Sequence, residues 1–174
     1  MGLSADELLA RLRDAFAERI VETHQHCGDA TAVIGRDDAL EIFRALRDRP
    51  EFGFNMLVDI TAVDYLGQSP RFEVVYHLHS LPQNHRLRVK IRVPEDAPWV
   101  HSLVELWKAA NWLERECWDM LGIRFVGHPD PRRILMYEEF VGHPLRRDYP
   151  VDKRQPLTPE RDPIEVAWKF DGKH

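Results

Sequence analysis

The middle of the chain alternates between apolar and polar residues in two neighbouring stretches, residues 71–80 and 85–93. A period of two is typical of β-strands that bury one face and expose the other. The short connection LPQNH between the stretches predicts that the two strands are antiparallel. Residues Met56 to Tyr65 predict a third strand of the same sheet. The apolar positions of the first two strands are Phe72, Val74, Tyr76, Leu78, Leu87, Val89, Ile91 and Val93.

Two segments that precede this sheet have the spacing of amphipathic helices. Ser4 and Glu7 form the pattern of a capping box, which predicts a first helix from about Ala5 to Glu18. Asp38 and Glu41 form a second capping pair at the start of a second helix. The apolar residues are Leu8, Leu12 and Phe16 in the first helix and Leu40, Phe43 and Leu46 in the second, which Pro50 terminates.

Three further elements complete the predicted domain. The turn sequence Cys27-Gly28-Asp29-Ala30 lies between two short segments whose residues favour β-strands, which predicts a hairpin. Beyond Pro94 the apolar residues return to helical spacing, which predicts one helix over residues 99–110 and another that ends at Gly122. The apolar positions are Trp99, Leu103, Leu106, Trp107 and Ala110 in the first of these helices and Leu113, Cys117, Met120 and Leu121 in the second.

The character of the chain changes at Gly127. Six of the twelve prolines lie between Gly127 and Arg161, in a stretch without helical or strand periodicity. Such a segment forms no hydrogen-bonded ladder of its own and is predicted to run extended against another surface. We therefore predict an α+β domain over residues 1–126 and an extended, Pro-rich C-terminal tail over residues 127–174. The domain is expected to have two layers, with a mixed or antiparallel sheet covered by helices.

Composition excludes several classes of function. The chain is 44% apolar, which suffices for a core, but it contains no run of about 18 apolar residues that would cross a bilayer. Its first residues lack the basic start and apolar middle of a secretory signal, so we expect it to stay in the compartment where it is made. The net charge of −5 argues against nucleic acid as the main partner. Two cysteines are too few for an intrachain four-cysteine iron–sulfur cluster.

The histidines are the first candidates for a binding site. His77 and His79 share one strand face, and His24 and His26 precede Cys27. A zinc site needs three or four converging ligands, and the sequence identifies no complete set. Polar side chains on a solvated or partner-covered strand face are the favoured interpretation.

A basic row on the last predicted strand is the second candidate. A solvated strand face is the favoured interpretation, contact with an acidic partner comes second, and nucleic acid comes third because no aromatic residue interleaves with the row. Its members are Arg86, Arg88, Lys90 and Arg92.

Cys117 is the one candidate nucleophile. It would need a nearby base, for which His128 or His143 are available. Its helical spacing instead places it among apolar residues, so a buried thiol that behaves as a small hydrophobic group is the favoured interpretation.

Charged residues are concentrated between positions 114 and 133. Glu114, Glu116 and Asp119 lie in an otherwise apolar helix, and Arg132 and Arg133 follow in the Pro-rich segment. Carboxylates and guanidinium groups near a core must pair, and arginine offers two parallel donors to a carboxylate. We interpret these residues as a charge network that fastens the tail to the domain or to a neighbouring subunit.

This charged stretch, together with the sequence VGHPLRRDYPV at residues 141–151, resembles the signature blocks of the 30 kDa subunit family of respiratory complex I, the bacterial NADH-quinone oxidoreductase. The family motif and interface are carried over onto Glu114, Arg115, Glu116, Asp119, Gly122, His128, Pro129, Arg132, Arg133, Ile134, Leu135, Gly142, Pro144, Leu145, Arg146, Arg147, Asp148, Tyr149 and Pro150.

The resemblance implies a non-redox structural subunit in the peripheral arm of a proton-pumping NADH-quinone oxidoreductase. The expected partners are the 49 kDa quinone-site subunit and other arm subunits. This chain is expected to have no catalytic, cofactor-binding or metal-binding residue, while FMN, iron–sulfur clusters and quinone are bound by partner subunits. The expected location is the cytoplasmic side of the bacterial plasma membrane, peripheral and attached through the complex.

Two alternatives remain open on the sequence alone. One is the equivalent subunit of a membrane-bound hydrogenase or a related quinone-type dehydrogenase, and the other is a stand-alone cysteine enzyme. From the motif we also expect that replacing Arg146 or Asp148 with alanine leaves the domain folded and impairs assembly.

Overall fold

The computed structural model describes residues 3–155. The rest of the predicted tail, residues 156–174, lies outside the described residues. The elements in chain order are α1 (Ala5–Phe16), β1 (Ile20–His26), β2 (Asp29–Ile34), α2 (Ala39–Asp48), β3 (Met56–Asp64), β4 (Phe72–Ser80), β5 (His85–Val93), β6 (Trp99–His101), α3 (Ala110–Leu121) and β7 (Arg124–Val126).

Five of the strands form one mixed sheet in the order β1-β2-β5-β4-β3. All neighbours in this sheet are antiparallel except β2 and β5, which are parallel. The two short strands β6 and β7 form a separate parallel pair. The predicted α+β fold with a mixed sheet and helices is therefore confirmed, and both central strands have the predicted antiparallel pairing.

The first helix and the hairpin form as their sequences predict. The Ser4 hydroxyl accepts from the backbone N–H of Glu7, and the Glu7 carboxylate accepts from the backbone N–H of Ser4, so the capping box is complete. Between β1 and β2, Cys27 and Gly28 both have positive φ, at 53° and 84°. Two such residues in succession are typical of the tight turns whose twist matches that of the flanking strands.

The core lies between one face of the sheet and the helices. The apolar residues of β4 and β5 point into it, and Tyr76 and Phe43 meet there with ring centroids 4.7 Å apart. On the opposite face the basic row of β5 lies beside acidic side chains of neighbouring strands. Lys90 lies 2.8 Å from Glu73, and Arg92 lies 2.7 Å from Glu22. These ion pairs agree with the polar strand face that the sequence favours.

Two details of the predicted helices are wrong. Asp38 precedes α2 but adopts helical backbone angles, and its side chain makes no capping hydrogen bond. Residues 99–110 do not form one helix: Trp99–His101 is strand β6, and the residues after it form turns up to the start of α3. Pairing with β7, which is distant in sequence, extends residues 99–101 and overrides the helical spacing of the apolar residues.

The end of α3 agrees with the sequence. Gly122 follows the helix in the left-handed conformation, with φ of 77°, and its N–H donates to the carbonyl of Trp118. No helix within residues 3–155 has both the length and the apolar character that a membrane span requires.

Candidate functional site

The contact between α3 and the segment that follows β7 is centred on the carboxylate of Asp119. This side chain is fully buried. Its Oδ2 accepts from the backbone N–H groups of Ile134, Leu135 and Met136 at 3.0, 2.9 and 2.9 Å, and its Oδ1 lies 2.5 Å from the Arg133 guanidinium. Burial raises the pKa of Asp119, but the three N–H groups and Arg133 outweigh burial and hold the pKa below its usual value. The carboxylate is therefore charged at neutral pH.

Arg133 extends this contact into the later part of the chain. Besides Asp119, its guanidinium donates to the backbone carbonyls of Phe140 and Gly142 at 2.9 and 3.2 Å. It also lies over the ring of Trp118 at 5.6 Å and over that of Phe140 at 5.7 Å. A planar, multiply donating group suits this position, because the surrounding backbone carbonyls have no strand or helix partner.

The C-terminal end of α3 is closed by side chains from the same segment. Arg146 donates to the carbonyl of Leu121 at 2.7 Å, and His143 hydrogen-bonds to the carbonyl of Asp119 at 3.0 Å. The last carbonyls of a helix lack intrahelical partners, and a cation there also complements the helix dipole. A Cβ added to Gly122 would lie 2.6 Å from His143 and 2.8 Å from Arg146. Glycine therefore suits this position, because its φ is positive and because a Cβ would displace the His143 and Arg146 side chains.

A second charge network binds the segment near its end. Its central residue, Arg71, is not among the site residues predicted from the sequence. Arg71 is 2% exposed and donates twice to Asp64, at 2.8 and 2.7 Å, and twice to Asp148, at 3.0 and 2.8 Å. It also lies 2.5 Å from Glu95. The backbone N–H of Arg147 donates to Asp64. Hydrogen bonds from Arg71 lower the pKa of both Asp64 and Asp148.

Two other predicted motif residues do not pair as expected. Arg115 donates to the backbone carbonyls of Arg132 and Arg133, both at 2.9 Å, and to no carboxylate in the described part of the chain. Arg132 instead pairs with Asp130 at 2.7 Å. Glu116 forms no ion pair with any residue in the range 3–155. The expectation that carboxylates and guanidinium groups near the core pair with each other is therefore wrong for Arg115 and, as described next, for Glu114.

Glu114 is buried without a cationic partner among residues 3–155. It is 1% exposed, and its carboxyl accepts from the backbone N–H of Leu103 at 2.6 Å and from the Ser102 hydroxyl at 2.7 Å. Burial raises the pKa of Glu114 to about 7, against the lowering effect of these two donors. The residue holds the loop before α3 in place, and its protonation changes near neutral pH.

Cys117 is a buried thiol, as its helical spacing predicts, and the alternative of a nucleophile is wrong. The side chain is 3% exposed, its thiol hydrogen-bonds to the carbonyl of Ile60 at 3.4 Å, and burial raises its pKa. A reactive cysteine requires a stabilised thiolate, which this environment opposes. The two candidate bases have other partners, because His128 hydrogen-bonds to the Asn111 carbonyl and His143 to that of Asp119.

The histidine pairs of the strands do not form a complete ligand set. Across residues 3–155, no three or more histidine, cysteine or acidic side chains converge as metal ligands would.

The segment formed by residues 127–155, which we call the tail segment, directs several charged side chains inward and several large apolar side chains outward. Arg133, His143 and Arg146 point towards the domain, whereas five large apolar side chains face solvent. Leu135 is 57% exposed and Leu145 is 61% exposed. The other exposed apolar residues of the segment are Tyr137, Val141 and Val151, and the predicted motif residues Pro129, Arg147 and Pro150 are also exposed.

Comparison with known proteins finds a family whose members match this chain. Residues 32–155 match the model of the family described as respiratory-chain NADH dehydrogenase, 30 Kd subunit. The C subunit of NADH-quinone oxidoreductase from Geotalea uraniireducens (strain Rf4) is 43% identical over 89% of this chain and 90% of that protein. The corresponding protein of Roseiflexus sp. (strain RS-1) is 46% identical over 98% of this chain and 92% of that protein.

Two solved structures resemble the fold. One is titled "Nqo5 of the trypsin-resistant fragment (1-134) in P63 form"; it is 36% identical, with a TM-score of 0.63, and the match covers 71% of this chain and 98% of that chain. The other is a chain of the membrane-bound sulfane sulfur reductase, an archaeal respiratory membrane complex, with a TM-score of 0.70 over 84% of this chain and 85% of that chain. Its identity is 23%, so this likeness concerns the fold alone.

We predict that Asp119→Asn lowers the free energy of unfolding by about 3 kcal/mol, because an amide NH₂ would face backbone N–H groups and Arg133 would lose its buried counter-ion. Denaturation in urea, followed by tryptophan fluorescence, measures this. Asp130→Asn is the matched control, since it removes a partly exposed carboxylate from the same region and is expected to cost less than about 1 kcal/mol. Equal effects of the two substitutions would contradict the central role of Asp119.

We predict that Glu114→Gln changes how stability depends on pH. A carboxyl whose pKa is higher in the folded state than its ordinary value of 4.5 stabilises the fold below pH 4.5, and this contribution is lost as pH rises through about 7. The wild type should therefore lose about 3 kcal/mol relative to Glu114→Gln between pH 4.5 and pH 8. Chemical denaturation at several pH values measures the difference, with Glu116→Gln as control. A constant difference between wild type and Glu114→Gln across this range would refute the assignment.

Proposed function

Because the chain belongs to the family of the 30 kDa subunit of respiratory-chain NADH dehydrogenase, we propose that it is a structural subunit of the peripheral arm of a proton-pumping NADH-quinone oxidoreductase. In this role it catalyses no step by itself and carries no redox group. FMN, the iron–sulfur clusters and quinone are bound by its neighbours. It lies on the cytoplasmic side of the bacterial plasma membrane, attached through those neighbours.

The observation that supports a docking role is the set of exposed apolar side chains on the tail segment. Five large apolar side chains of this segment face solvent, while Arg133, His143 and Arg146 bind the domain. Single exposed apolar residues are common on protein surfaces, but several of them within one short segment support an interaction site. We therefore assign the outward surface of the tail segment to contact with the 49 kDa quinone-site subunit.

The free energy gained by burying the exposed apolar side chains of the tail segment is large enough for a stable contact with a partner. Burying one leucine or valine side chain contributes roughly 1.5–3 kcal/mol, so two or three such anchors account for a large share of the affinity of a protein complex. The motif residues contribute indirectly. Asp119, Arg133 and Arg146 hold the backbone, and the backbone presents Leu135 and Leu145.

The relatives favour the NADH-quinone complex over the related alternatives. The two relatives from NADH-quinone oxidoreductases are 43% and 46% identical over most of the chain, while the chain of the sulfane sulfur reductase complex is 23% identical. An independent cysteine enzyme has no support, because the Cys117 thiol is buried and its pKa is raised.

We predict that the double substitution Leu135→Glu and Leu145→Glu abolishes co-purification with the 49 kDa subunit and leaves the isolated chain as stable as the wild type, within about 0.5 kcal/mol. Both side chains are exposed, so their replacement removes little contact within the chain. Affinity purification from gently solubilised membranes measures assembly, and thermal unfolding measures stability.

Val21→Glu is the matched control for this experiment. Val21 is 65% exposed on β1, at the sheet edge opposite β3, and we expect this variant to assemble normally. Normal assembly of the double variant would show that the tail segment does not dock. A large loss of stability would show that the two leucines serve the fold.

We further predict that the purified chain does not oxidise NADH and shows no flavin or iron–sulfur absorbance in the visible region, where those cofactors have their bands. An absorption spectrum and an NADH oxidation assay of the purified chain measure this. A stoichiometric cofactor in the purified chain would overturn the proposal.

The contacts of Arg146 and Asp148 change what their alanine variants are expected to do. Both residues bind within the chain, to Leu121 and Arg71, so these variants would loosen the tail segment as well as alter any interface. The exposed leucines therefore test docking more cleanly than the charged motif residues do.

A further inference from the structure

A cavity of about 480 Å³ lies between α3, β7 and the first residues of the tail segment. The apolar residues of its lining, which we call its floor, are Trp118, Phe125, Val126 and Pro131. The volume lies in the range of cavities that enclose a small ligand, which corresponds to a few side chains of a bound peptide. We call this cavity the α3 groove.

A large aromatic residue next to the α3 groove, Trp112, is exposed in the part of the chain that the structure describes. Trp112 is 61% exposed and lies three residues before Arg115, whose guanidinium is 5.2 Å from its ring. Exposed tryptophans are costly to leave in water and are enriched among the residues that dominate binding at protein interfaces. Val126, on the floor, is also 45% exposed.

The charges that line the α3 groove are mainly positive. Arg115 and Arg124 have no carboxylate within ion-pair distance among residues 3–155, and the Arg115 guanidinium donates to the backbone carbonyls of Arg132 and Arg133. Glu114 is the one acidic residue of the lining in this range, and both of its oxygens are occupied by donors on the side of the core. The groove therefore combines an apolar floor with two arginines that lack counter-ions in the described part of the chain.

We propose that the α3 groove binds an acidic peptide segment of a neighbouring subunit, one that places an apolar side chain on the groove floor and carboxylates beside Arg115 and Arg124. This inference rests on the proposed function, because the partner is another subunit of the same complex. The occupant is identified by charge complementarity, since cations without counter-ions attract carboxylates and an apolar floor selects an apolar anchor. The groove is a second contact, distinct from the outward leucines of the tail segment.

Photo-cross-linking in the assembled complex tests the proposal. The photoreactive residue p-benzoylphenylalanine replaces Trp112 in one variant and Val126 in a second, so that the loss of Trp112 as an anchor cannot by itself prevent labelling. After irradiation of the purified complex, mass spectrometry identifies the cross-linked peptides. We expect both positions to label one stretch of a neighbouring subunit that contains several aspartate or glutamate residues around an apolar residue.

A third variant, with the same photoreactive residue at Leu145, separates the two proposals. Labelling of a neighbour from position 145 but from neither groove position would overturn the α3 groove as a binding site while the docking role stands. Absence of labelling from all three positions would overturn both. Labelling of a stretch rich in lysine or arginine, or of residues 156–174 of the same chain, would also overturn the assignment of the occupant.

Charge reversal supplies an independent measure. Arg124→Glu should weaken association with the labelled neighbour at least about tenfold, and Arg11→Glu, at an exposed position on α1, should leave it unchanged. Because the Arg124 side chain makes no hydrogen bond or ion pair within residues 3–155, the thermal stability of Arg124→Glu should match that of the wild type. Equal association of the two variants would contradict the role of Arg124.

Discussion

The structure of the tail segment depends on one buried carboxylate. A chain without helix or strand has backbone N–H groups that nothing in its own ladder satisfies, and leaving them unpaired in a buried position is costly. Asp119 satisfies three such groups in succession, at residues 134–136, and pairs with Arg133 at the same time. One helical side chain thereby takes the place of a strand partner, and the path of the segment follows from the position of α3.

A second charge network holds the other end of the tail segment, again through a charged side chain of the domain. Arg71 is buried against Asp64 on the domain and against Asp148 on the segment. Buried ion pairs contribute little net stability compared with apolar packing, yet removing one partner is costly. Such pairs therefore add little to the free energy of folding, but they select one arrangement of the chain. That is what a segment with its apolar residues turned outward requires, since it has little core of its own.

The sequence predicts the central sheet, the first hairpin, the capped first helix and the glycine end of α3, because in each case a local pattern dictates the structure. It does not predict β6, because three residues are too few for a period to appear and the partner strand is distant in sequence. Asp119 stands out as an acid within an apolar helix. Arg71 does not stand out, because an arginine before a strand is ordinary and only the tertiary fold brings it to Asp148.

If the tail segment docks as proposed, its attachment within the chain lowers the entropic cost of forming the complex. Ordering a free chain opposes association by about 1–2 kcal/mol of conformational entropy per residue. In the proposed docking, a segment already held by Asp119, Arg133 and Arg71 would meet its partner with most of that loss incurred during folding, and docking would resemble the meeting of two rigid surfaces. The same preorganisation leaves apolar side chains displayed on any copy that has no partner. Exposed apolar surface favours self-association, so a copy without a partner would be expected to self-associate more readily than an assembled one.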